Sequence, residues 1–374
     1  MSVNVGIKPI TYALLERQFQ HEREEILKCQ LSILESGQYI LGEVVENLEK
    51  DIASFCGVTY CVALNSGTDA LIFGMMALGI KKGDEVITPT NSFIASTSSI
   101  IHVGAIPVLI DVKEDQNIDV NQIESKITSK TKAIMPVHLT GRIAEMNKIR
   151  ALAQKYNLFV IEDAAQAFGS QYHGQYAGSF GNVGCFSAHP LKTFNACGDA
   201  GFLTTDNKEI YQQVRLLRAH GLQDRNTVVK WGYVSRLDAM QAAILQMRLG
   251  KIKGYIEKRR QNLELYRSLL DLKYVFIPPC KPHEYNQVQT FVIQVDKRNE
   301  LQAHLAECGI QTSVHYPIPI HLQPVCSNLN YKRGDFPQTE YQADRILSVP
   351  VSQFLEDFEI GYVSEKINGF FRGK

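Results

Sequence analysis

Apolar and polar positions along this chain follow two periods. Residues 20–55 carry apolar positions at helical spacing in "EREEILKCQLSIL" and "GEVVENLEKDIASF", around a turn at Ser36-Gly37. From residue 60 onward, short continuous apolar runs take turns with segments of helical period. Runs of that kind fit strands buried on both faces. "YCVAL" (60–64) predicts a strand, and "TDALIFGMMALGI" (68–80) a helix with Leu71, Met75 and Leu78 on one face. Strands are predicted in "GDEVITP", "IPVLIDV", "KAIMPVHL", "LFVIED", "NVGCFSA" and "GFLTTD". Helices are predicted in "SFIASTSSIIHVG", "IESKIT" and "EMNKIRALAQKYN". This alternation predicts an α/β domain, with a mostly parallel central sheet and helices on both faces. A long helical region starts near 238, and "QTFVIQVD", "RNELQAHLAECGI" and "TSVHYPIPIHLQP" then predict a smaller C-terminal α+β domain. The expected division is a large domain with an N-terminal helical arm over 1–250 and a small domain over 251–374.

Composition changes this picture little. The 374 residues are 45% hydrophobic and 21% charged, enough to bury a sizeable core. The 39 basic and 39 acidic residues balance, and no basic run marks a nucleic-acid surface. The first residues lack a basic stretch followed by an apolar one, and no apolar run reaches membrane length. Eight scattered cysteines form no CxxC pair, so no metal is expected, and free thiols fit a cytoplasmic protein.

In an open α/β sheet, ligands gather beyond the C-terminal strand ends. Four features fall there. In "ALNSGTDAL" a strand runs through Ser66-Gly67-Thr68 into a helix, whose N-terminus suits a phosphate. An ordinary N-cap by Ser66 or Thr68 is the alternative. In "VIEDAAQAFG", Asp163 ends an apolar strand, either as a helix cap or as a buried carboxylate for a cationic ring nitrogen; Gln166 could bond a ring substituent. Phe93, in "TNSFIAS", is core packing or a stacking surface. Lys192 lies in "CFSAHPLKTFNACGDAGFLTT", between two apolar runs, as a solvated loop lysine or as an amine able to form a Schiff base. Ser187, leaving the preceding strand, could donate to a phosphate. Together these are the four parts that pyridoxal 5'-phosphate requires.

The segments "NSGTDAL", "KKGDEVITP", "VHLTGRIAEM", "VIEDAAQAFGS", "FSAHPLKTFNACGDAGFLTT", "LRAHGL", "GYVSRLDAMQAAIL" and "VHYPIPIHLQP" resemble, in order, the DegT/DnrJ/EryC1/StrS family of sugar aminotransferases. The resemblance runs from about residue 30 to 350. It implies a fold-type I pyridoxal-phosphate transferase acting as a homodimer. It implies that Lys192 forms the Schiff base and shuttles protons, that Asp163 pairs with the pyridine nitrogen, and that Gln166 lies near the phenolic oxygen. Gly67, Thr68 and Ser187 would hold the phosphate, with Phe93 on the ring face. The implied reaction moves the amino group of L-glutamate onto a keto group of a nucleotide-linked deoxysugar, for amino-sugar biosynthesis.

Three positions depart from the family pattern. Val234 stands where an asparagine reaches the partner's cofactor phosphate, Ala188 replaces an aromatic ring, and Ala200 replaces a glycine. Relatives that eliminate water carry histidine at the lysine position, so Lys192 favours transamination over elimination. A cofactor-binding regulator is the remaining alternative, and it would need a DNA-binding segment that the sequence does not display. His189, His315 and Tyr316 are candidates for the substrate side. Arg218, His220 and Arg225 could hold an anionic handle or be solvated surface charges.

Overall fold

The computed structural model describes residues 9–373. Twelve strands form in chain order: β1 (Tyr60–Leu64), β2 (Glu85–Pro89), β3 (Ile106–Ile110), β4 (Thr131–Ile134), β5 (Phe159–Asp163), β6 (Gln171–Tyr172), β7 (Gln175–Tyr176), β8 (Val183–Ser187), β9 (Gly201–Thr205), β10 (Glu284–Tyr285), β11 (Phe291–Gln294) and β12 (Ile346–Val349). Seven of them make the main sheet, in the order β1-β9-β8-β5-β4-β2-β3. The pairs β2–β3, β2–β4, β4–β5 and β5–β8 are parallel, whereas β9 runs antiparallel to both β8 and β1. Six strands therefore share one direction and β9 alone opposes it, as expected for a mostly parallel sheet.

Successive side chains on a strand face opposite sides. Accordingly Cys61 and Ala63 of β1 join one apolar layer, and Val62 and Leu64 join the other. The first layer is closed by the helices Glu43–Cys56, Met146–Tyr156 and Ala239–Leu249, the second by Gly67–Ala77, Ile94–His102 and Lys208–Leu217. Both layers of helices were legible from periodicity except Lys208–Leu217, whose pattern was not singled out. The long helical region breaks at Gly250-Lys251 into Ala239–Leu249 and Ile252–Leu269.

A second apolar cluster lies around the two-stranded sheet β11–β12 and the helices Arg298–Glu307 and Asp357–Arg372. Helix Ile252–Leu269 spans both regions: Ile252 and Ile256 join the main core, Leu263 and Tyr266 the second. Ile10 and Leu14 also pack in the second cluster, and Ile10 bridges Ile310. Among the described residues no helix is long and apolar enough to cross a membrane.

Edge strand β1 is held by a buried ion pair. Glu49 accepts from the Ala63 amide at 2.8 Å, and Arg218, paired with Glu49, donates to the Ala63 carbonyl at 2.8 Å. Both groups of one edge residue are thereby satisfied. This overturns both readings of Arg218, which is neither an anion handle nor a solvated charge but a buried clamp. His220 and Arg225 are exposed.

Candidate active site

The reversed strand β9 decides where the site forms. Because β8 and β9 are antiparallel, the loop joining them, residues 188–200, stays at the sheet edge where β1, β2 and β5 also end. Asn65–Ser66, Thr90–Phe93, Asp163, Ser187 and the lysine loop thus meet at one edge.

Helix Gly67–Ala77 begins there. Ser66 is its N-cap, and its Oγ accepts from the Asp69 amide at 3.2 Å while its carbonyl accepts from Ala70. None of the described hydrogen bonds uses the Gly67 or Thr68 amide, which are helix-terminal donors without an intrahelical partner. A Cβ on Gly67 would fall 2.9 Å from Ser187 Cβ, and one on Gly201 would fall 2.2 Å from the Ser66 carbonyl carbon. Glycine at these two positions lets the helix N-terminus, Ser187 and the start of β9 close into one cradle. Ser187 Oγ accepts from the His189 amide at 3.3 Å.

Asp163, 5% exposed, accepts from Ser96 Oγ at 2.6 Å through Oδ2 and from the Ala165 amide at 3.2 Å through Oδ1. Burial raises its pKa, opposed by those two hydrogen bonds and by the positive potential of Lys192 and His138. The carboxylate is therefore desolvated and held in place, with its donors supporting the charged form. Lys192 is partly buried, and burial lowers its amine from 10.5 to about 8, against the opposing pull of Asp163. Among the described residues no carboxylate lies within salt-bridge distance of its Nζ.

Gln166 accepts from the Thr140 amide at 2.8 Å and donates to the Tyr316 hydroxyl at 3.2 Å. The Tyr316 ring lies 5.9 Å from that of Phe93, which is 58% exposed at the N-terminus of helix Ile94–His102. Phe93 is therefore not core packing. Burial, then the charge of Asp163, raises the Tyr316 pKa, so its hydroxyl stays protonated. His315 Nδ1 lies 2.8 Å from Ser348 Oγ, and burial, then Lys192, lowers its pKa to about 4, keeping the ring neutral. His189 is exposed and accepts from the Leu191 amide at 3.2 Å, so it shapes the turn before the lysine. Ala188 is fully buried and bonds both arms of the loop, its amide to the Ala200 carbonyl and its carbonyl to the Ala196 amide, each at 2.8 Å. Val234 is exposed and bridges Ala219.

A model of the DegT/DnrJ/EryC1/StrS aminotransferase family matches residues 20–368. The chain belongs to this family. It is 39% identical to a pleiotropic regulatory protein of Geobacillus stearothermophilus, over 96% of this chain and 97% of that one. It is also 39% identical to the dTDP-3-amino-3,6-dideoxy-alpha-D-galactopyranose transaminase of Aneurinibacillus thermoaerophilus, over 93% and 96%. In fold it is similar to the crystal structure of S. venezuelae DesV in complex with a ketimine intermediate, with a TM-score of 0.95 at 34% identity, covering 97% of this chain and 99% of that one. As a member of this family the protein is a sugar aminotransferase, and pyridoxal phosphate is its cofactor. The residues present fit that group: a glycine-floored cradle with free helix-terminal amides for a phosphate, a buried carboxylate for a cation, and an unpaired amine of lowered pKa.

Several contributors were absent from the sequence reading. Ser96 lies three residues beyond Phe93, one helical turn on, and that spacing could have flagged it. His138 and Glu162, both fully buried and 3.0 Å apart, sit behind the site. Glu162 also accepts from the amides of Gly178, Phe180 and Gly181, so it ties down the segment before β8.

The depressed lysine gives a direct expectation. In the cofactor-free protein, the rate at which Lys192 reacts with a small amine-modifying reagent should rise with pH around a midpoint near 8, the value burial sets. A midpoint near 10.5, measured by peptide mapping of the label, would show that the amine is not desolvated.

Proposed function

We propose that the protein transfers the amino group of L-glutamate to the keto group of a nucleotide-linked deoxysugar. The juxtaposition of buried Asp163 and partly buried Lys192, with no ion pair between them among the described residues, carries this reading. The activity of the 39%-identical relative, a dTDP-3-amino-3,6-dideoxy-alpha-D-galactopyranose transaminase, supports the substrate class.

The bound cofactor supplies an electron sink for carbon–hydrogen bond cleavage. The chain supplies binding, orientation and proton movement. The Gly67 and Thr68 amides, the Ser66 and Ser187 hydroxyls and the helix N-terminus would hold the phosphate. Asp163, whose charged form is supported by Ser96 and the Ala165 amide against the effect of burial, would pair with a protonated ring nitrogen. Gln166 would lie beside the ring oxygen, and Phe93 would cover a ring face. Nζ of Lys192, its pKa lowered to about 8 so that a neutral fraction is present near physiological pH, would take the proton from the donor's α-carbon and serve as its carrier. Tyr316 and neutral His315, from the smaller unit, line the substrate side. His189 is left with the turn it stabilises.

The regulatory name of one relative favours a second reading, in which the fold binds cofactor without turnover. One assay separates the two. With glutamate and a panel of dTDP- and UDP-linked keto-sugars, the wild-type protein should form 2-oxoglutarate and amino-sugar in equal amounts. Lys192→Ala should lose at least about a thousandfold in rate, as expected for removal of a bond-forming amine that is also the proton carrier. Cofactor binding without any product from the panel would support the regulator instead.

We also infer a homodimer. Val228, Val229, Trp231, Tyr233 and Val234 are all at least half exposed within one loop, and Trp231 is 92% exposed. An apolar cluster of this kind marks an interaction surface. Sedimentation should give twice 42.1 kDa, with Trp231→Glu shifted toward monomer. A wild-type monomer at micromolar concentration would end the inference.

A further inference from the structure

Lys192 sits in a loop with no strand ladder beside it, its own amide donating to the His189 carbonyl at 2.8 Å, yet its amine must meet one atom of the cofactor. The peptide groups on either side of it are the natural points of control. One side chain bonds to both. Gln289 Nε2 donates to the Leu191 carbonyl at 2.8 Å, and Gln289 Oε1 accepts from the Thr193 amide at 2.9 Å and from Thr193 Oγ1 at 3.1 Å. A planar amide offers donor and acceptor along one edge. Here that edge takes the place of a neighbouring strand for the residues flanking the lysine.

The clamp is itself anchored. Gln289 is 7% exposed, and its amide donates to the Thr140 carbonyl at 3.0 Å. Arg259, 8% exposed, donates to the carbonyls of Val288 and Gln289 at 2.8 and 2.7 Å and to Gln353 at 2.8 Å. Arg259 has no carboxylate within salt-bridge distance among the described residues, and burial lowers its pKa to about 10. Its guanidinium is committed to holding the 288–289 backbone. Thr140, which accepts from Gln289, donates to Gln166, and Gln166 donates to Tyr316. One continuous set of hydrogen bonds therefore joins the lysine backbone to the residues facing the ring and the substrate.

We propose that Gln289 is a positioning residue for Lys192: by fixing the peptide groups on both sides of the lysine, it sets the approach of Nζ to the cofactor aldehyde. The proposal rests on Lys192 being the lysine that bonds the cofactor. In that step the amine nitrogen attacks the aldehyde carbon, a carbon–nitrogen double bond forms, and one water leaves. Pyridoxamine phosphate carries an amine at the same carbon and cannot make this bond. It therefore reports the cofactor cradle without the lysine.

The experiment compares the two ligands on cofactor-free wild type, Gln289→Ala and Gln289→Glu. Covalent capture of pyridoxal phosphate is followed by borohydride trapping and peptide mapping, and pyridoxamine phosphate affinity by calorimetry. Label on a residue other than Lys192 in the wild type would overturn the functional reading itself. With label on Lys192, capture by Gln289→Ala should slow by roughly ten- to a hundredfold, the scale of a small misplacement of a reacting group. Its pyridoxamine phosphate affinity should stay within about twofold of wild type, since that ligand does not use the lysine. Gln289→Glu keeps the acceptor for Thr193 and lacks the donor for Leu191, so its capture rate should fall between the other two. It also guards against a collapse of the alanine variant. Unchanged capture overturns the proposal, and so does a parallel loss of both ligands, which would mark general damage to the site.

Discussion

Everything at this site follows from placing a carboxylate and an amine in one dry crevice without letting them pair. Desolvation disfavours the charged form of each. It raises the pKa of Asp163 and brings Lys192 down to about 8. A close ion pair would relieve both, but would also leave the amine protonated and the carboxylate occupied. The protein instead supports the carboxylate with Ser96 and the Ala165 amide and, among the described residues, gives the amine no carboxylate partner. A ligand with a basic ring nitrogen at one end and an aldehyde at the other resolves the two desolvation costs together. Pyridoxal phosphate has that form, and the glycine-floored helix N-terminus, with its unpaired amides, suits a phosphate.

The sheet topology makes the arrangement possible. Six strands deliver their C-terminal ends to one edge, and the reversed β9 returns the lysine loop to the same edge. The close contacts of Gly67 with Ser187 and of Gly201 with Ser66 then fix the spacing between loop and helix. Groups from distant parts of the chain finish the job. Gln289 holds the lysine backbone, Arg259 holds Gln289, and Tyr316 reaches Gln166 from beyond the second core. The lysine backbone, Gln166 and Tyr316 are thus joined through hydrogen bonds rather than held independently.

Much of this was legible in the sequence because it is local. The apolar run of β5 and its end at Asp163 marked a strand end, and Ser66-Gly67-Thr68 marked a helix start. Lys192 stood out because its flanking runs are apolar on both sides. What stayed hidden depends on long-range geometry. "VIED" carries two adjacent acids on opposite faces of β5, and only the fold shows that Glu162 turns to His138 and backbone amides while Asp163 faces the crevice. Arg218 looked like a surface charge because its partner Glu49 and its strand Ala63 are remote in sequence. Gln289 has no local signature at all; a glutamine becomes a clamp only when a loop nearly a hundred residues away passes beside it.

The claim that matters most is that Asp163 keeps a positive charge on the ring nitrogen of the bound cofactor. Nitrogen NMR of the protein loaded with ring-labelled pyridoxal phosphate reads that charge directly. The account predicts a protonated ring nitrogen in the wild type at neutral pH, and a neutral one in Asp163→Asn. A neutral pyridine signal in the wild type would contradict it.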